Sequence, residues 1–86
     1  MGFFEMKWRL VSCRAQSGYT QKEASKRLGV SEKTLICWEN GLTTPKMDKA
    51  QRISELYGIP LAYIDFTKEG NKYGLKDRVK ETGVTL

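Results

Sequence analysis

Between Gln21 and Trp38 the chain reads QKEASKRLGVSEKTLICW, a segment that specifies two short amphipathic helices joined by a glycine turn. Thr20 precedes the first helix and Glu23 follows three residues on, so the hydroxyl can cap a free backbone N–H while the carboxylate reaches back. Ala24 and Leu28 lie four apart on its inner face, and small Ser25 lets a second helix approach. Gly29 permits the positive φ that stops one helix and redirects the chain. Ser31 then caps a second helix, in which Leu35 and Trp38 fall at helical spacing and point inward with Val30. Glu32, Lys33, Thr34, Cys37 and Asn40 are left outside. A chain built around this segment folds so that one helix is presented outward from a compact core.

The remaining elements follow from the same kind of signal. Residues 6–17 are predicted as a first helix with Leu10, Val11 and Arg14 on one side, ended by Ser17-Gly18. GLTTPK, over 41–46, is a loop in which Gly41 suits a left-handed helix end and Pro45 leads into the next helix. A fourth helix over about 47–57 places Ala50, Ile53 and Leu56 or Tyr57 inward and stops at Gly58. Pro60 suits a first helical turn, which predicts a short fifth helix running to Ile64 or Phe66. The expected fold class is all-α: a compact five-helix bundle with no strand in its core. Residues 1–5 form an N-terminal arm, 6–66 the helical domain, and 67–86 an irregular C-terminal tail with three glycines and eight charges. Tyr73-Gly74-Leu75 and Val84-Thr85-Leu86 offer short strands for a dimer arm; the alternative is a frayed tail.

Eighty-six residues make one domain, and a chain of this size buries only about 60–65% of its unfolded surface. Its stability is modest, and self-association would add to it. No apolar run reaches the roughly 18 residues needed to span a bilayer. The opening MGFFEM has neither the basic start nor the apolar length of a signal peptide, so a cytoplasmic protein without a membrane partner is expected. Cys13 and Cys37 fall on separate predicted helices, one of them on an exposed face, which is not how a disulfide framework is laid out. Reduced thiols are expected.

The net charge is +5, and its placement carries more information than its size. Residues 7–46 hold eight basic side chains against three acidic ones, while the remainder carries seven of each sign. All of the excess lies on the segment with the paired helices, the distribution of a surface that meets a polyanion. Catalysis has no foothold: the chain has no histidine, its cysteines lack metal-ligand spacing, and no glycine-rich phosphate loop is present. Neither enzyme activity nor a metal or other cofactor is expected.

With these elements in register, the chain resembles the helix-turn-helix domain of the lambdoid phage repressor and Cro family, also called the xenobiotic-response-element family of bacterial regulators. The resemblance covers roughly residues 6–66. It rests on Arg14, Thr20-Gln21, Ser25, Gly29-Val30-Ser31, Leu35, Trp38-Glu39-Asn40-Gly41, Pro45, Ile53 and Tyr57-Gly58-Ile59. Where many members carry leucine followed by alanine, this chain has Ala24-Ser25, which trims the core and adds a hydroxyl that must be satisfied.

The resemblance implies a division of labour on double-stranded DNA. Gln21, at a helix start where free N–H groups and the dipole attract an anion, matches a glutamine that grips a phosphate. Asn40 matches another backbone-binding position. Ser31 and Lys46 join this phosphate-contacting set, Lys46 by its charge. Glu32, Lys33 and Cys37 match base-reading positions, with Thr34 beside them. Lysine can donate to guanine O6 and N7, glutamate can accept from cytosine N4, and threonine can touch a thymine methyl. Cys37 would supply van der Waals contact, and Glu32 can equally serve as a first-turn acid favoured by the helix dipole. Arg14 and Glu39 match a pair that bridges the first and third helices inside the domain, an architectural role.

The function implied is sequence-specific transcriptional regulation, with the protein acting as a repressor that binds a palindromic operator as a homodimer. One such helix reads few base pairs, so specificity calls for two half-sites. The alternative is a protein-interaction module, antitoxin-like or adaptor, whose DNA contact is secondary and whose regulatory protein partner docks on Phe3, Phe4 and Met6.

Overall fold

A computed structural model describes residues 7–72. The local signals around the central pair of helices are realised as hydrogen bonds. Thr20 Oγ1 accepts from the Glu23 N–H and Glu23 Oε1 accepts from the Thr20 N–H, both at 3.0 Å, which starts α2 (Gln21–Leu28) with a reciprocal cap. Gly29, at φ +74°, ends it, and the Val30 N–H returns to the Ser25 carbonyl in the manner of a left-handed helix cap. The Ser25 hydroxyl, though buried, donates to the Lys22 carbonyl at 2.9 Å within its own helix. Ser31 Oγ accepts from the Thr34 N–H at 3.1 Å and starts α3 (Glu32–Glu39). Preceding these is α1 (Leu10–Ser17), and following them is α4 (Met47–Tyr57).

The core lies where these helices meet. Leu10 and Cys13 from α1, Ala24 and Leu28 from α2, Leu35 and Trp38 from α3, Ile53 and Tyr57 from α4, and Ile64 form one buried cluster. Tyr19, Val30, Leu56, Ile59 and Phe66 pack against it. Cys13 is fully buried, which pushes its thiol up to about 11 because the thiolate would lose its hydration. Cys13 and Cys37 are not joined in a disulfide. No helix among the described residues is long and apolar enough to cross a membrane.

The expected class, a compact five-helix bundle around the central pair, is the one observed; four details of it differ. The first helix starts at Leu10, because residues 8–9 are extended: β1 (Trp8–Arg9) pairs in parallel with β2 (Ile64–Asp65), Trp8 opposite Ile64 and Arg9 opposite Asp65. A small strand pair therefore accompanies the helices, and Ile64 belongs both to it and to the core. The fifth helix is a single 3-10 turn, Leu61–Tyr63, since Ile64 leaves the turn to enter the strand. The irregular tail does not begin at Thr67: residues 68–72 are helical, and Asn71 is 1% exposed.

Asn71 accounts for the last of these. Its Oδ1 accepts the Leu10 N–H at 2.9 Å, and its Nδ2 donates to the carbonyls of Asp65 at 3.0 Å and Thr67 at 2.9 Å. Arg9 provides no side-chain cap for α1, so a distant side chain satisfies an N–H that a helix start leaves open. The expectations for the arm 1–5, for Met6 and for the two strand-forming stretches of the tail concern residues outside those described.

Candidate nucleic-acid interface

Two buried side chains fix the rotation of α3: Leu35 is 1% and Trp38 6% exposed. Side chains on the opposite side must face outward. Glu32 and Lys33 are exposed, and Thr34, Cys37 and Asn40 are half-buried; Lys33, Cys37 and Asn40 share the outward strip, Glu32 flanks it, and Thr34, four residues before Trp38, lies at the edge of the inward face. Ile36, to which sequence reasoning gave no role, is also half-buried. Its signal was present as an apolar residue outside the inward spacing.

The two hydroxyls at the start of α3 are engaged with each other. Ser31 Oγ and Thr34 Oγ1 lie 2.8 Å apart, in addition to the cap that Ser31 makes. The Thr34 hydroxyl is thus partly engaged within the helix start, while its methyl is not.

Gln21 opens α2 and is half-buried. Its Nε2 donates to Glu39 Oε1 at 3.0 Å. Glu39 Oε2 takes the Arg14 Nε at 2.7 Å, Oε1 takes Arg14 Nη2 at 3.2 Å, and Arg14 Nη1 donates to the Tyr19 carbonyl at 3.0 Å. One carboxylate, with its side chain 2% exposed, therefore links α1, α2 and α3. The hydrogen bonds that Arg14 donates to Glu39 hold the pKa of its guanidinium above the usual value. Gln21 keeps a second amide N–H, and it sits at a helix start where Thr20 covers only the Glu23 N–H. The Gln21 and Lys22 N–H groups remain for an anion.

Asn40 is the C-terminal cap residue of α3, with its N–H on the Ile36 carbonyl at 3.0 Å. Gly41 follows at φ +73°, and the Leu42 N–H returns to the Cys37 carbonyl at 2.9 Å, which holds the end of the helix in place. Lys46 precedes the first residue of α4, is exposed, and makes no side-chain capping bond. The structure brings Gln21 to α3 through Glu39 and places Asn40 at the end of the outward strip. Lys46 shares no described bond with either.

A family model described as helix-turn-helix matches residues 10–64. Among known proteins, the chain is 31% identical over 74 residues to the HTH-type transcriptional regulator ImmR of Bacillus subtilis, a match covering 86% of this chain and 58% of that protein. It is 28% identical over 63 residues to the cryptic phage CTXphi transcriptional repressor RstR of Vibrio cholerae, covering 73% of this chain and 57% of RstR. An uncharacterized HTH-type transcriptional regulator of Methanocaldococcus jannaschii is 36% identical over 56 residues, 65% of this chain and 85% of the other. The chain thus spans less than two thirds of the length of the first two. No solved structure matches it significantly. The match runs from the first residue of α1 into β2 and takes in the Gly29 turn between α2 and α3, the helix that carries the outward strip; the chain belongs to the helix-turn-helix family, in its lambdoid repressor and Cro group.

Proposed function

We propose that this chain is a sequence-specific, double-stranded DNA-binding transcriptional regulator, a repressor that binds a palindromic operator as a homodimer in the cytoplasm. The observation that carries the reading is the outward strip of α3, whose rotation Leu35 and Trp38 fix and whose neighbour is the open start of α2. The basic excess of residues 7–46 lies on the same segment and supports it. ImmR and RstR, by their names, are a transcriptional regulator and a transcriptional repressor.

In this reading Gln21, Ser31, Asn40 and Lys46 take backbone phosphates, while Glu32, Lys33, Thr34 and Cys37 face base edges. Ser31 also holds the helix start, so its phosphate contact is made by a hydroxyl already placed by Thr34. The N-terminal arm 1–5 and the tail remain outside the DNA-binding unit, whose C-terminal boundary we move from Phe66 to include 68–72, because Asn71 is part of its bonding. Trp8, Leu42, Met47 and Tyr63 are exposed at 43%, 58%, 64% and 59%. For so small a domain, covering such side chains by a second copy adds stability. The same exposed residues favour the second reading, a module whose main partner is another protein.

Selecting bound duplexes from a random pool, followed by a salt series on the winner, tests the proposal. Inverted half-sites about one helical turn apart are expected, with affinity falling steeply with salt as a dimer neutralises about 6–10 phosphates. A flat salt series, or tight binding to a protein partner with no duplex binding, overturns it.

A further inference from the structure

The helical residues after the strand pair rest on Gly41. A Cβ at Gly41 would overlap the Lys68 carbonyl oxygen and would stand 2.8 Å from both the Cβ and the backbone nitrogen of Lys72. The end of α3 and residues 68–72 thus meet backbone to backbone, a closeness only glycine permits. Asn71 holds the segment a second time, through Leu10, Asp65 and Thr67. Residues 68–72 therefore have a fixed seat against α3.

That seat places charge. Lys68 and Lys72 are both exposed, and their spacing of four puts them on one face of the segment. Gly41 directly follows Asn40, the C-terminal cap residue of α3 at the far end of the outward strip, and its positive φ turns the chain out of the helix at that point. The two lysines accordingly border the Asn40 end of the strip. Neither lies within residues 10–64, which the family model covers.

We propose that Lys68 and Lys72 form a further phosphate-binding site that extends the DNA surface past the Asn40 end of α3. The inference rests on the reading of α3 as the helix that enters the groove. Ammonium groups four residues apart on a helix repel one another, and a phosphate beside them removes that cost. A lysine at this place acts as a point charge toward the backbone and reads no base. The segment held by Asn71 thereby gains a role beyond closing the start of α1: it carries charge to the strand at the edge of the groove.

The test compares the full chain with Lys68→Gln, Lys72→Gln and the double variant, each keeping its Cβ and helix preference. Affinity for a selected duplex and for a random duplex is measured from low to moderate salt. The slope of log affinity against log salt is expected to become shallower by about one per lysine removed in each bound protomer. Preferred and random duplexes lose affinity by the same factor. Arg52→Gln, at the end of α2 remote from Gln21 where Arg52 donates to the Arg27 carbonyl, removes the same charge and is expected to leave the slope unchanged. Lysine variants that match the parent, or the Arg52 control, overturn the inference while a salt-dependent parent keeps the DNA reading intact. A parent with no salt dependence overturns both. Circular dichroism of each variant separates lost contact from lost fold.

Discussion

Gln21 donates to Glu39 at 3.0 Å, and the same carboxylate oxygen receives Arg14 Nη2. The residue that opens α2 is thus aimed by the residue that closes α3. A glutamine that must present its amide to a phosphate gains from having one N–H already committed, because fewer side-chain orientations remain to be lost on binding.

Glu39→Gln is expected to destabilise the fold toward the low end of the roughly 3–5 kcal/mol that breaking a buried pair costs, since Arg14 is left facing a neutral amide with its side chain 15% exposed. Arg14→Met combined with Glu39→Leu is expected to recover most of that loss, because no uncompensated charge remains. Urea midpoints of the single and double variants decide it. A double variant weaker than Glu39→Gln would show that the pair itself stabilises.

Asn71→Ala removes the acceptor for the Leu10 N–H and the donor for the carbonyls of Asp65 and Thr67. Leaving buried polar groups unpaired costs about 1–3 kcal/mol each, so a loss of about 2–4 kcal/mol is expected where water cannot replace all three bonds. Hydrogen exchange at the Leu10 amide is expected to quicken. An unchanged exchange rate there would remove Asn71 from the capping of α1.

These two networks mark where the sequence stops being legible. Thr20 and Glu23, Ser31 and Thr34, and the glycine turn at Gly29 act within a few residues of each other, so their bonds can be read from spacing, and α2, α3 and α4 are found where the spacing puts them. Leu10 and Asn71 stand 61 residues apart, and nothing local to Asn71, in a stretch of glycine and charge, marks it as buried. The same distance hides β1: Trp8 and Arg9 fit a helix locally and become extended only because Ile64 and Asp65 offer a partner. For the candidate site, the helical period placed Lys33 and Cys37 outward. It could not show that Glu39, assigned to Arg14, also takes Gln21 across 18 positions.

The capping box gives an acid-dependent component of stability. The Thr20 N–H, and then the Thr20 hydroxyl, favour the ionised form of Glu23 and hold its carboxyl below the ordinary value of 4.5. A lowered folded-state value means this stabilisation is complete above about pH 4.5 and is lost as pH falls from there through the folded-state value. Glu23→Gln retains an acceptor oxygen without titrating. Its unfolding midpoint is expected to fall less than the parent's below pH 4.5, and parallel curves would assign the acid loss to other carboxylates.

Tyr57 buries its hydroxyl without a hydrogen-bond partner among the described residues, and burial, with Glu39 nearby, pushes the phenol well above its usual range. Tyr57→Phe keeps the ring that packs 6.2 Å from Tyr19 and discards the unpaired group. A gain of about 1 kcal/mol in stability is expected, since an unsatisfied buried hydroxyl retains its desolvation cost. A lower thermal midpoint would reveal a partner for the hydroxyl in solution.

The base-reading assignment separates from the phosphate assignment by what each does to sequence preference. Lys33 and Cys37 lie four apart on α3, opposite Leu35 and Trp38, whose burial prevents the helix from rolling. Lys33→Ala is expected to relax preference at one or two positions per half-site, at about 1–3 kcal/mol for a lysine contact to guanine, and Cys37→Ser to do so more weakly. Gln21→Ala and Asn40→Ala are expected to weaken all duplexes alike, because phosphates carry no base identity. Binding-site profiles from a random duplex pool distinguish the two classes. Unchanged profiles for both Lys33→Ala and Cys37→Ser would mean that the outward strip of α3 faces something other than base edges, since no rotation of the helix can turn those side chains elsewhere while Leu35 and Trp38 stay buried.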